Sequence, residues 1–140
     1  MKIRLILAAI VAIWLVPAFS MAQDVIPIGN SSVKVSSLTQ REITNIFMGK
    51  KIAWDDKTKI VLFFQKDPIV HNAFLKKYIH KNNFIFERLW KRLVFTGKVK
   101  LPKYLESDTE MIEHVSTTKG AIGYVSAGTR LDNVKTITVK

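Results

Sequence analysis

The most constraining feature of this chain is an uninterrupted apolar run, Ile60–Phe64, which is followed closely by the pair Asp67-Pro68. An apolar run without alternation is typical of a strand that is covered on both faces. Aspartate followed by proline suits the N-cap and the first position of a helix. We therefore predict a central strand over residues 59–65 that leads into a helix reaching about Ile79. A buried strand joined to a covering helix favours an α/β fold.

The rest of the chain alternates between strand and helix patterns. Two segments, Thr39–Glu42 and Ser107–Glu110, have the spacing of a capping box, which marks the start of a helix. The basic segment 98–103 contains a proline and is predicted as loop or edge strand. The other predicted elements are strands over Val25–Ile28, Ala121–Val125 and Val134–Val139, the last at an edge, and a helix over Phe84–Phe95. This alternation predicts a partly parallel sheet with helices on both faces.

The N-terminal segment has the pattern of a secretory signal peptide. Lys2 and Arg4 precede an apolar run, and the small residues Ser20 and Ala22 fit the cleavage rule for signal peptidase. The run is shorter than the roughly 20 residues of a membrane-spanning helix, although an uncleaved anchor is the alternative. We expect residues 1–22 to be a signal peptide cleaved after Ala22, and residues 23–140 to be one domain in the periplasm.

Composition narrows the chemistry of that domain. It would have 118 residues and a net charge of +9, because residues 1–22 carry two basic and no acidic side chains of a chain with net charge +11. The absence of cysteine excludes thiol nucleophiles, zinc ribbons and disulfides. Glu110 and His114, four residues apart, are better explained as a surface pair than as metal ligands. With no glycine-rich phosphate loop and no nucleophile motif, we expect neither an enzyme nor a metal or cofactor site.

The strand-to-helix junction is the candidate ligand site. In open α/β folds ligands bind at the carboxyl ends of the strands, where helix N-termini attract anions. Gln65, Lys66, His71 and Asn72 would add hydrogen-bond donors to an inorganic oxyanion there. Asp67 would compete for the same backbone N–H groups and repel an anion, so the alternative is a well-capped structural helix.

A second candidate surface lies in the basic segment 76–103. Arg88, Lys91 and Arg92 are spaced to form one ridge, opposite an apolar stripe that contains Phe86 and Trp90. Such a ridge suits the phosphates of an anionic membrane surface, and export argues against nucleic acid. The alternative is a solvated helix face.

Two segments carry a family resemblance. One runs from Leu38-Thr39 through Ile46-Phe47-Met48-Gly49-Lys50 to Trp54-Asp55, and the other is Gly120–Val125. Together they resemble the substrate-binding proteins of phosphate ABC importers, within the type 2 periplasmic binding protein superfamily. The resemblance implies a Rossmann-like three-layer lobe, with a mixed, mostly parallel sheet flanked by helices.

Two departures from that family bear on function. Where the family holds phosphate with Ser-Gly-Thr at a helix start, residues 66–70 contain no serine, glycine or threonine. The family also closes two lobes around its ligand, whereas 118 residues supply about one. We expect an exported, non-enzymatic binding protein resembling one lobe of a phosphate-binding protein, with a homodimer as one source of the second lobe. The alternative is a module for a protein partner or an anionic surface that has lost oxyanion binding.

Overall fold

The computed structural model describes residues 24–140, so the expected signal peptide and its cleavage after Ala22 lie outside the described residues. The strands are β1 (Val25–Asn30), β2 (Ser37–Leu38), β3 (Val61–Gln65), β4 (Lys103–Leu105), β5 (Ala121–Ser126), β6 (Val134–Thr136) and β7 (Thr138–Val139). The helices are α1 (Gln40–Phe47), α2 (Pro68–Phe74), α3 (Asn83–Phe95) and α4 (Asp108–Thr117), and a π-helical turn (Leu75–Ile79) continues α2. None of the helices in this range is both long and apolar enough to cross a membrane.

Five strands form one mixed sheet in the order β4-β3-β5-β1-β6, and β2 pairs with β7 in a separate parallel ribbon. Strands β3, β4 and β5 run parallel to one another, while β1 is antiparallel to both β5 and β6. The predicted mixed, mostly parallel sheet is therefore confirmed. The predicted central position of β3 is wrong: β5 occupies the centre, because the antiparallel strand β1 pairs on its far side.

Helices cover both faces of this sheet. On one face Phe64 belongs to a core cluster with residues of α1, α2 and α3, including Phe47, Phe74 and Trp90. On the other face Phe63 packs in a cluster with Met111 of α4. Adjacent residues of β3 thus enter opposite cores, as expected for a strand whose side chains alternate between two covered faces. This arrangement confirms the three-layer α/β prediction.

Local signals in the sequence set several element ends. The capping box of α1 is complete: Glu42 N donates to Thr39 Oγ1 at 3.1 Å, and Thr39 N donates to Glu42 Oε2 at 2.8 Å. Gly49 follows that helix with a φ of +73°, the left-handed conformation that a helix stop favours. At α2, Asp67 is the N-cap and Pro68 the first helical residue, as predicted.

Other element boundaries differ from the prediction. The helix predicted to reach Ile79 widens after Phe74 into the π-helical turn, in which His80 N donates to Leu75 O. The edge strand predicted over residues 134–139 divides into β6 and β7. The cause is Ile137, whose backbone N–H bonds to Pro27 and whose side chain is buried between the two strands.

The capping box predicted at Ser107 forms only in part. Glu110 N donates to Ser107 Oγ at 3.1 Å, but the Glu110 carboxylate accepts from Glu106 N at 2.7 Å and not from the N-cap itself. The Ser107 side chain therefore caps α4 as predicted. The Glu110 side chain instead accepts from the backbone N–H of Glu106, the residue that precedes the N-cap.

Candidate functional site

The carboxyl edge of the sheet is where this fold would bind a ligand. The parallel strands β3, β4 and β5 end there at Gln65, Leu105 and Ser126. Helices α2 and α4 start within three residues of the ends of β3 and β4. Two helix N-termini therefore face the same edge, an arrangement that favours anionic groups.

An internal carboxylate already occupies donors at this edge. Gln65 is only 1% exposed, and its side-chain Nε2 donates to Asp108 Oδ1 at 2.5 Å and to Tyr124 O at 3.0 Å. Asp108 Oδ1 also accepts from Ser126 N at 3.2 Å, and its Oδ2 lies 3.4 Å from Thr129 Oγ1, whose hydroxyl donates to Ser126 O at 2.7 Å. The first residue of α4 thus binds a side chain of β3 and the backbone at the end of β5.

His71 is part of a buried hydrogen-bond chain. Its side chain is 4% exposed, with Nδ1 2.5 Å from Tyr124 Oη and Nε2 3.0 Å from Asn83 Oδ1. The Tyr124 hydroxyl accepts from Gln65 N at 3.0 Å and burial raises its pKa, so its proton stays and is donated to Nδ1. His71 Nε2–H then donates to Asn83.

Burial also lowers the pKa of the His71 imidazole, because removing the cationic form from water is costly. Both ring nitrogens are engaged, and the imidazole is neutral. In this arrangement His71 joins α2, α3 and β5 and offers no donor to a ligand.

The remaining predicted donors point to different places. Lys66 is exposed and its Nζ lies 2.6 Å from Glu106 Oε1, and the hydrogen bond and charge of that carboxylate raise the pKa of Lys66. Asn72 is exposed and lines a shallow pocket of about 580 Å³ between α2 and the start of α3. The structure therefore brings Gln65 and His71 together through Tyr124, but it does not bring Lys66 or Asn72 to the same point.

Acidic side chains dominate the electrostatics of the carboxyl edge. Asp67 Oδ1 accepts from Ile69 N at 2.9 Å at the start of α2, and Glu110 accepts from the backbone before α4. With Asp108, these carboxylates engage backbone N–H groups that an oxyanion would need. An anionic ligand at this edge would therefore be repelled by these carboxylates.

The predicted basic ridge lies on the exposed face of α3. Arg88, Lys91 and Arg92 are all exposed, whereas Phe86 and Trp90 are buried on the opposite face. The same exposed face carries large apolar side chains that sequence reasoning did not single out: Phe84, Ile85 and Phe95. The available signal was the separation of Phe84 and Phe95 by eleven residues, about three helical turns, which places both on the face of Arg88 and Lys91.

Sequence reasoning also missed a cleft of about 740 Å³ at the opposite end of the sheet. Its floor includes Ile60, Leu62 and Trp90, and five lysines line it: Lys51, Lys59, Lys98, Lys100 and Lys103. The loop between α3 and β4, residues 97–102, forms one wall. The cleft combines an apolar floor with a basic rim.

Within residues 24–140, no three histidine, aspartate or glutamate side chains lie close enough together to hold a metal ion.

Comparisons with known proteins show which solved structures share this fold. No family model matches the sequence, and no curated protein matches it either. A structure from Clostridium perfringens with bound phosphate, described as a phosphate ABC transporter substrate-binding protein, is 19% identical, with a TM-score of 0.63 over 84% of this chain and 45% of the other. An ABC-type phosphate transport receptor from Vibrio cholerae is 16% identical, with a TM-score of 0.57 over 84% and 46%.

A third similar structure is PstS from Borrelia burgdorferi, 17% identical, with a TM-score of 0.57 over 84% of this chain and 47% of the other. The chain thus spans less than half the length of each of these proteins. The chain therefore has the fold of one lobe of a phosphate ABC transporter substrate-binding protein.

Proposed function

We propose that this chain is an exported, non-enzymatic binding protein that no longer captures a free oxyanion and instead binds a macromolecular partner. The observation that carries the proposal is the Asp108 carboxylate, which accepts from the side chain of Gln65 and from the backbone of Ser126. Those donors lie at the edge where this fold would bind an anion.

Electrostatics supports the loss of oxyanion binding. Phosphate entering the carboxyl edge must give up its hydration, and only charged or well-placed donors repay that cost. The donors here already serve Asp67, Asp108 and Glu110. The one lysine at this edge that sequence reasoning singled out, Lys66, is paired with Glu106. A bound phosphate would displace a covalently tethered carboxylate or sit beside several of them, and both outcomes are unfavourable.

A non-enzymatic role is supported by the state of the buried groups. The best candidate for a proton-transfer group near the carboxyl edge is His71, and both of its nitrogens are engaged by Tyr124 and Asn83. A general base needs a free nitrogen within reach of a substrate. Two of the similar structures are described as a transporter substrate-binding protein and a transport receptor, which also supports a non-enzymatic role.

Calorimetry with inorganic phosphate, sulfate and molybdate tests the proposal directly. The chain from Gln23 contains every described element and both core clusters, and its fold is checked by circular dichroism. We expect no saturable heat up to a free ligand concentration of about 1 mM, which corresponds to roughly 4 kcal/mol of binding free energy. Saturable binding tighter than this would contradict the proposal. If saturable binding were accompanied by a doubling of the mass measured by light scattering, a homodimer that supplies two lobes to one oxyanion site would be the better explanation.

A further inference from the structure

One face of α3 combines exposed aromatic and cationic side chains. Phe84, Arg88, Lys91 and Phe95 follow one another at spacings of four, three and four residues, which places them on a single line along the helix. The two phenylalanines at its ends are 72% and 92% exposed. With a rise of 1.5 Å per residue, the line is about 16 Å long. We call these four residues the α3 stripe.

Two further side chains widen the α3 stripe on one side. Ile85 is 45% exposed and Arg92 is exposed, and both lie within a quarter turn of the line. The acidic residue of α3 is Glu87, whose Oε1 accepts from Asn83 Nδ2 at 3.1 Å. Within residues 24–140, none of Arg88, Lys91 and Arg92 takes part in a salt bridge. Glu87 is exposed and flanks the line on its other side, so the surface carries three cations and one carboxylate and has a net charge of +2.

The opposite face of α3 holds the helix in place. Phe86 and Trp90 are buried in the core cluster, and Trp90 Nε1 donates to Phe47 O at 3.0 Å. The outward direction of the stripe follows from this anchoring. A purely solvated helix face explains exposed cations, but it does not explain a phenylalanine at each end of the line.

The arrangement of charge along the stripe favours one class of partner. A protein groove that receives a helix usually contacts apolar side chains at each turn, whereas the two middle positions here are cationic. At a bilayer surface, phosphates meet the cations while exposed aromatics enter the boundary between headgroups and acyl chains. We propose that α3 docks this chain on an anionic glycerophospholipid bilayer, with Arg88 and Lys91 at the phosphates and Phe84 and Phe95 inserted. The bilayer would be the macromolecular partner proposed above, and to that extent the inference rests on that function.

Vesicle sedimentation with the chain from Gln23 tests this assignment. We expect the protein to pellet with phosphatidylcholine vesicles containing about one third phosphatidylglycerol, and not with pure phosphatidylcholine vesicles. NaCl at about 0.5 M should release most of it, because salt screens exposed charges. Pelleting to the same extent with both vesicle types, or with neither, would overturn the assignment. Pelleting with neither type would indicate that this face of α3 binds a protein partner instead.

Matched variants separate this surface from general basicity. The triple variant Arg88→Gln/Lys91→Gln/Arg92→Gln should lose about 100-fold in affinity, since each cation near an anionic surface contributes roughly fivefold. The control Arg41→Gln/Lys119→Gln/Lys140→Gln removes the same charge from exposed positions outside α3 and should lose much less. The variant Phe84→Ser/Phe95→Ser keeps every charge and should also bind more weakly. Equal losses in the two charge variants would contradict a role for α3.

Inorganic phosphate added at matched ionic strength distinguishes the two proposals. We expect it not to release the protein from vesicles beyond the effect of NaCl. Specific release by phosphate would overturn docking on a bilayer surface in favour of a phosphate site. Saturable heat with phosphate in the calorimeter, without release from vesicles, would instead contradict only the proposed loss of oxyanion binding.

Discussion

At the scale of single residues, His71 shows how burial changes the role of a side chain. Its two nitrogens bond to Tyr124 and Asn83, which lie 53 and 12 residues further along the chain. A histidine one turn into a helix at a sheet edge fits a ligand donor equally well by sequence alone. Only the position of Tyr124 in β5 decides between the two roles. That position depends on the pairing of distant strands and could not be predicted from local spacing.

The neutral state of His71 predicts a pH dependence of stability. Burial lowers its pKa in the folded chain below the unfolded value of about 6.5. Below about pH 6.5 the unfolded chain therefore binds more protons, and the free energy of unfolding falls as the pH falls. Urea unfolding between about pH 8 and 5 should show this loss. The variant His71→Leu should be less stable throughout but should show a flatter pH profile.

A second histidine provides the control for that measurement. His80 is exposed in a left-handed conformation with a φ of +59°, which asparagine tolerates. The variant His80→Asn should keep the pH profile of the parent chain. A His71→Leu profile as steep as the parent profile would show that other groups cause the loss.

At the scale of elements, local signals were predictable and long-range pairings were not. Thr39, Asp67 and Gly49 act within a few residues of themselves, so the caps and the helix stop were predicted correctly. The order of strands was not local, and β5 took the central position predicted for β3. The candidate site could be placed at the carboxyl edge, but the Asp108 carboxylate that closes it contacts residues 43 and 18 positions away.

The contacts of Asp108 predict a loss of stability when its carboxylate is removed. In Asp108→Ala the Gln65 amide loses one acceptor inside the protein and Ser126 N loses another. A buried donor left without a partner costs about 1–3 kcal/mol, and urea unfolding should show a loss of that size. Asp132→Ala removes an exposed carboxylate near Arg130 and should change stability by less than about 0.5 kcal/mol. Equal effects of the two substitutions would contradict a structural role for Asp108.

At the scale of the whole molecule, one sheet joins the two cores. Phe63 and Phe64 of β3 enter opposite clusters. Strand β1, near the start of the described chain, pairs with β5 and with β6, near its end. These strand pairings join segments that are far apart in the sequence, so neither core is complete until the distant segments have paired. We expect the chain to unfold as one cooperative unit.

Ile137 tests this cooperativity. It is 1% exposed, and a Cβ added at Gly29 would lie 2.8 Å from its Cδ1, so it packs directly on β1. Ile137→Ala should destabilise the chain by about 2–5 kcal/mol. In the chain from Gln23, fluorescence comes from the buried Trp54 and Trp90, and its transition should coincide with that of circular dichroism.

Two separate transitions would contradict the single unit and indicate that the α4 face unfolds independently. The variant Phe95→Ala supplies the control, because this side chain is 92% exposed and its loss should change stability by less than about 0.5 kcal/mol. A stable Phe95 variant that binds vesicles weakly would assign that loss to the surface of α3. Unfolding could not then account for it, since the same cooperative transition would report an intact fold.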